Sequence, residues 1–240
     1  MDHISQISLS GDPTTLLIAL GGGMVPALLW LWFWLREDRE NPEPSGLLFM
    51  TFIVGMLSVI LVLPVEKWVA TLAVSDTMHT ILWAASEEIL KFLVVLAVVF
   101  RSPYLDEPVD FAIYFMTAAL GFAALENGLF LIHPVTVNDT VVSLLTGNLR
   151  FFGATLLHAA ASGIIGIFLG LAFFKSGFAK KIYGIFGIAA AISLHSVFNL
   201  FIMGYTGKSF LGIFAFLWVV CIIIMLLYEK LRRMAEYITA

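Results

Sequence analysis

The chain has 240 residues, 60% of them hydrophobic and only 12% charged, with a mean hydropathy of +0.98. A soluble chain of this size is about half apolar and a quarter charged, so a soluble globule is excluded and an all-α, multi-span helical membrane protein is expected. The balance of 13 Lys+Arg against 17 Asp+Glu leaves no basic excess, and no nucleic-acid partner is expected.

Apolar stretches bounded by charge or proline predict seven spans, at about 14–35, 46–64, 78–100, 109–133, 149–174, 182–204 and 209–228. A re-entrant or interfacial segment at 65–77 would make eight. The first stretch is too long for a signal-peptide core and follows acidic Asp2 and Asp12, so it reads as a retained anchor. Neither an internal repeat nor a low-complexity tract breaks the pattern, and residues 1–240 read as one membrane domain. Alternate loops carry two basic residues on one side (Lys67, Lys208) and nine on the other, from Arg36 and Arg39 through to Arg232 and Arg233. The basic side is expected in the cytosol, which puts the N-terminus outside and the C-terminus inside. Arg150, at the outer edge of the fifth stretch, runs against this trend.

Several ionisable residues fall well inside these spans: Glu87, Glu88 and Lys91 in the third, Glu126 in the fourth, His158 in the fifth and His195 in the sixth. Charge in hydrocarbon costs at least about 2.5–3.5 kcal/mol on insertion scales, so such groups face the bundle interior and mark function. Internal pairing of Lys91 with Glu87 (i,i+4) or Glu88 (i,i+3) accounts for one carboxylate and leaves the rest unexplained. Spans alternate in direction. Counting 1.5 Å per residue from the outer ends puts Glu87, Glu126, His158 and His195 at one depth, about 10–14 Å into a core about 30 Å thick.

Two imidazoles and a carboxylate form a common hydrolytic zinc set, in which a further glutamate can deprotonate water. The expected ligands of such a divalent ion are Glu126, His158 and His195, with Glu87 at the water. Exchanging the roles of Glu87 and Glu88 suits the sequence almost equally well. Asn199, one turn from His195, can donate an amide hydrogen bond to an oxyanion. His158, Ser162, Gly166 and Gly170 share a face of small residues that lets a neighbouring helix approach closely. A metal-free version has Glu87 activating water directly, while His195 and Asn199 stabilise the tetrahedral intermediate.

Other features take plainer readings. His79 and His133 lie near span ends, the run Gly21–Gly23 suits helix packing, Trp30, Trp32, Trp83 and Trp218 pack or anchor at interfaces, and the lone Cys221 is apolar filling.

Glu87-Glu88-Ile-Leu-Lys91 matches EExxK, Phe122-Ala-Ala-Leu-Glu126 matches FxxxE, and His195-Ser-Val-Phe-Asn199 matches HxxxN. In this order, on successive buried spans over about residues 78–204, they resemble the PrsW family of intramembrane proteases. That family is related to the CAAX-protease and bacteriocin-processing superfamily, with its EExxxR, FxxxH and HxxxN or HxxxD patterns. Here Lys91 comes one residue before the expected Arg, and Glu126 replaces the His of FxxxH. The resemblance implies peptide hydrolysis in or beside a bacterial or archaeal cell membrane. The implied substrate is a single-span protein such as a membrane-anchored anti-sigma factor, cut on its outer side. Glu88, Lys91 and Phe122 would support the site. Two other classes compete: a proton- or cation-coupled transporter, for which no half-to-half repeat is found, and a non-catalytic membrane receptor.

Overall fold

In the computed structural model, residues 13–37, 41–136, 153–204 and 210–239 are described. Among them the chain forms seven helices: α1 (Pro13–Glu37), α2 (Ser45–Ala70), α3 (Asp76–Val98), α4 (Asp110–Thr136), α5 (Thr155–Leu171), α6 (Gly177–Gly204) and α7 (Phe210–Thr239). Each falls on one of the seven expected stretches. Five are long and apolar enough to cross a membrane; α5 is shorter and α3 carries the buried charges. No separate segment occupies 65–77. Instead α2 continues past Pro64 to Ala70, and α3 begins at Asp76 with Ser75 as N-cap, its hydroxyl accepting from the Met78 amide at 3.3 Å. Arg150 lies outside the described residues, as does the side chain of His133.

α4 is the central helix. It is buried on nearly every face from Val109 to Ala124, while α1, α2 and α5 pack around it and α6 packs on α5. A helix that is apolar all round belongs in such a position. Glycine sets the spacing where α2 crosses α4, because a Cβ on Gly55 would meet the Ala118 backbone and one on Gly121 the Phe52 carbonyl. The two backbones therefore touch there, and this close approach holds α4, five residues before Glu126, against α2. Gly23 of the Gly21–Gly23 run lies in the same way on the backbone of Ala124 and Gly128, in keeping with a packing role.

At the opposite end of the bundle from the α2–α3 turn, polar groups tie the loops. Asp110 accepts from the amides of Asp106 (2.9 Å) and Glu107 (2.6 Å), Asn41 donates to Glu107 at 2.5 Å, and the Tyr114 hydroxyl donates to Glu43. Such ties fix the entry of α2 and α4, and with it the register at which their inward residues meet the other helices.

Candidate active site

The core-facing stripe of α3 runs Thr80, Ala84, Glu87, Glu88, Lys91, Val94 and Val95, the three- and four-residue spacing of a helix packed on a core. Three of these seven positions are ionisable, so the helix aims charge into the bundle and must find partners there. The partners come from α4, α5 and α6.

Glu88 and Lys91 are completely buried. The Lys91 ammonium donates to Glu88 Oε1 at 2.8 Å and lies 3.5 Å from Glu87 Oε2, while its charge sits 4.2 Å from the centroid of the Phe122 ring. Glu88 receives two further hydrogen bonds, from His195 Nδ1 to Oε1 at 2.9 Å and from the Ser162 hydroxyl to Oε2 at 2.8 Å. Three donors on one carboxylate satisfy it. Glu88 thereby joins α3, α5 and α6 through three hydrogen bonds.

The two imidazoles are held in the same fashion. His195 gives its Nδ1 proton to Glu88, and His158 gives its Nε2 proton to Glu126 Oε2 at 2.9 Å. A carboxylate only accepts and an ammonium only donates, so these contacts assign the tautomers: Nε2 of His195 and Nδ1 of His158 keep their lone pairs. His158 Nδ1 accepts from the Lys91 ammonium at 2.8 Å, His195 Nε2 makes no hydrogen bond among the described residues, and both nitrogens turn toward one atom. Glu87 Oε2 is 3.8 Å from His158 Nδ1 and 3.9 Å from His195 Nε2, and the rings stand nearly perpendicular with centroids 5.1 Å apart. Asn127, next to Glu126, donates to the Thr155 hydroxyl at 2.8 Å and so couples α4 to α5 beside this contact.

The four residues expected at one depth thus meet, but in a different grouping from the expected one. Glu87, rather than Glu126, joins the two histidines, and the three ligand atoms lie within 4.8 Å of one another. Glu126 stands behind His158, as Glu88 stands behind His195. Asn199 is half-buried one turn past His195 and makes no hydrogen bond among the described residues. His79 does not join the cluster; its Nε2 bonds the Leu72 carbonyl at 3.1 Å and its ring stacks on Trp83. Ser162 is a site residue the sequence reading took only as a small packing residue. Its one legible signal was its place one turn from His158.

The PrsW family model, described as an intramembrane metalloprotease family, matches residues 43–227. The chain belongs to the PrsW family. It is an integral membrane protein and a peptidase, and the three motifs of the sequence fall inside the matched region. Among curated relatives, Protease PrsW of Geobacillus kaustophilus is 27% identical over 165 residues, covering 68% of each chain. That of Oceanobacillus iheyensis is 26% identical over 194 residues, covering 80% of this chain and 86% of the relative. The Bacillus subtilis protein of the same name is 24% identical over 204 residues, or 83% and 90%. No solved structure matches the chain.

Proposed function

We propose that the protein is an intramembrane endopeptidase that cleaves a membrane-anchored, single-span protein near the outer side of the membrane, with Glu87, His158 and His195 as its reactive centre. An anti-sigma factor is the substrate class the family resemblance suggests. The observation that carries the reading is the convergence of two imidazole lone pairs and a carboxylate oxygen on one point, each imidazole being held from behind by another carboxylate. Three acceptors facing one another repel unless a cation offsets them; the Lys91 ammonium does so beside His158 Nδ1 at 2.8 Å and Glu87 at 3.5 Å, and His195 Nε2 is left facing Glu87 without a donor among the described residues.

These donors fit a divalent ion. Ligands about 2.0–2.2 Å from zinc at tetrahedral angles stand about 3.4 Å apart; here Glu87 is 3.8 and 3.9 Å from the two imidazole nitrogens and all three atoms lie within 4.8 Å, so a slight inward movement would close them on an ion. A carboxylate behind each metal-binding imidazole is the usual support of such sites. A bound ion would polarise the scissile carbonyl and lower the pKa of water. The protein's own groups do the rest. Glu87 is the one carboxylate here not engaged in holding an imidazole; with Oε2 turned to the ion, its other oxygen would take the proton of the attacking water. Asn199, with its amide unengaged, donates to the carbonyl oxygen as negative charge develops on it. Lys91 and Glu88 stay as a compensated pair, and Glu126 keeps His158 in the tautomer that faces the substrate. Elemental analysis of purified protein is expected to find about one divalent ion per chain, most of it lost in His195→Ala and in His158→Ala.

One contact favours a second, metal-free reading. The Lys91 ammonium lies 2.8 Å from His158 Nδ1 and so answers one of the converging lone pairs with the protein's own cation. Glu87 would then activate water directly, while His195 and Asn199 steady the oxyanion. Full cleavage by protein free of metal would select this version over the first.

The same reading orients the chain with its N-terminus outside and its C-terminus in the cytosol. It is supported by the excess of Lys and Arg in the loops at the end remote from the α2–α3 turn.

A further inference from the structure

Glu66 is an acidic side chain that the proposed mechanism does not use. It lies on the part of α2 beyond Pro64, where the helix runs on to Ala70. That stretch is tied to α3. The Trp83 indole donates to the Glu66 carbonyl at 3.2 Å, Trp83 stacks on His79, and His79 in turn bonds the Leu72 carbonyl at 3.1 Å. Trp83 stands one helical turn before Glu87 on the side of the α2–α3 turn, so the ties hold Glu66 beside the reactive centre and displaced toward that end of the bundle. Its carboxylate is close enough to act electrostatically on Glu126, Glu87 and Lys91.

The other carboxylates of the cluster have their donors: Lys91, Ser162 and His195 for Glu88, Lys91 for Glu87, and His158 for Glu126. Glu66 is half-buried, and its side chain makes no hydrogen bond or ion pair among the described residues. A half-buried carboxylate without a hydrogen-bonding partner, next to two others of the same charge, is less favourable than one that a cation reaches. Lys91, the ammonium of the cluster, is already enclosed by Glu87, Glu88, His158 and the Phe122 ring. Within the cluster no cation is left over for Glu66, so a bound partner is a source of the positive charge that would pair with it.

We propose that Glu66 is a specificity-determining residue that receives a Lys or Arg side chain of the substrate, on the side of the scissile bond facing the α2–α3 turn. The proposal rests on the protease reading, since a peptide lying at Glu87 is what carries the cation to Glu66. The four residues from Trp83 to Glu87 rise about 6 Å, which an extended peptide spans in about two residues. The basic side chain accordingly lies about two to three positions from the cleaved bond.

The test uses the full-length protein in lipid vesicles with three single-span substrates that differ in one residue, Lys, Gln or Glu, two or three positions from the cut on that side. Wild type is expected to favour Lys over Glu by about tenfold or more in kcat/KM, with Gln between them. In Glu66→Gln the ratio falls toward one, and in Glu66→Lys the order reverses. The reversal distinguishes a charge contact from a variant that folds poorly. An unchanged ratio in Glu66→Gln, or an equal loss on all three substrates with no reversal in Glu66→Lys, overturns the proposal while leaving the protease reading in place. Failure of wild type to cleave any of the three rejects the protease reading itself.

Discussion

Glu87→Gln is expected to insert and fold while losing at least about 10²–10⁴-fold in cleavage rate, because the amide keeps the shape of the carboxylate and cannot accept the proton of water. The loss should appear in kcat, since substrate binding does not depend on that proton. Glu87 makes only the long 3.5 Å contact with Lys91 and approaches the two imidazoles at 3.8 and 3.9 Å, so neutralising it breaks no close hydrogen bond of the fold. Steady-state cleavage and a thermal melt in the same detergent separate the two effects. Wild-type activity in Glu87→Gln would move the base elsewhere in the cluster.

Lys91→Met is expected to act first on stability. The ammonium is completely buried with Glu88 at 2.8 Å and His158 Nδ1 at 2.8 Å, and its removal leaves the Glu88 charge without its compensating cation. Breaking a buried ion pair from one side typically costs about 3–5 kcal/mol, whereas removing both charges together is often close to neutral. The double variant Glu88→Gln with Lys91→Met should therefore melt at a higher temperature than Lys91→Met alone. It should also retain cleavage above the level of Glu87→Gln, because Glu87 and both imidazoles remain. A double variant no more stable than the single one would mean that Glu88 and Lys91 do not act as a pair.

The architecture was legible because each span is a run of apolar residues longer than a soluble helix needs, and hydropathy alone separates seven of them. The meeting of α3, α4, α5 and α6 was legible for a different reason. Antiparallel spans turn sequence position into depth, so Glu87, Glu126, His158 and His195 could be placed at one level before any contact was seen. Depth does not give direction around the helix axis. Glu87 and Glu88 are adjacent, about 100° apart on α3, and Lys91 reaches either by spacing. Only packing decided that Glu88 turns toward Ser162 and His195 while Glu87 faces His158 Nδ1 and His195 Nε2. The same ambiguity grouped Glu126 with the histidines in the sequence reading, where the fold sets it behind His158. Glu66 was hidden by Pro64. A proline is a reasonable end for a span, and here the helix continues through it and carries the next acidic residue into the bundle.

The central claim is that a buried cluster centred on Glu87 hydrolyses a peptide bond within reach of the membrane. It is tested most directly by reconstituting purified wild type and Glu87→Gln in vesicles with a single-span substrate and identifying the new amino terminus of the product by mass spectrometry. Wild type should release one fragment cut in the outer half of the substrate's span or just beyond it, and Glu87→Gln should release none in the same time. The same fragment at the same rate from both proteins, or no fragment from either, would contradict the claim.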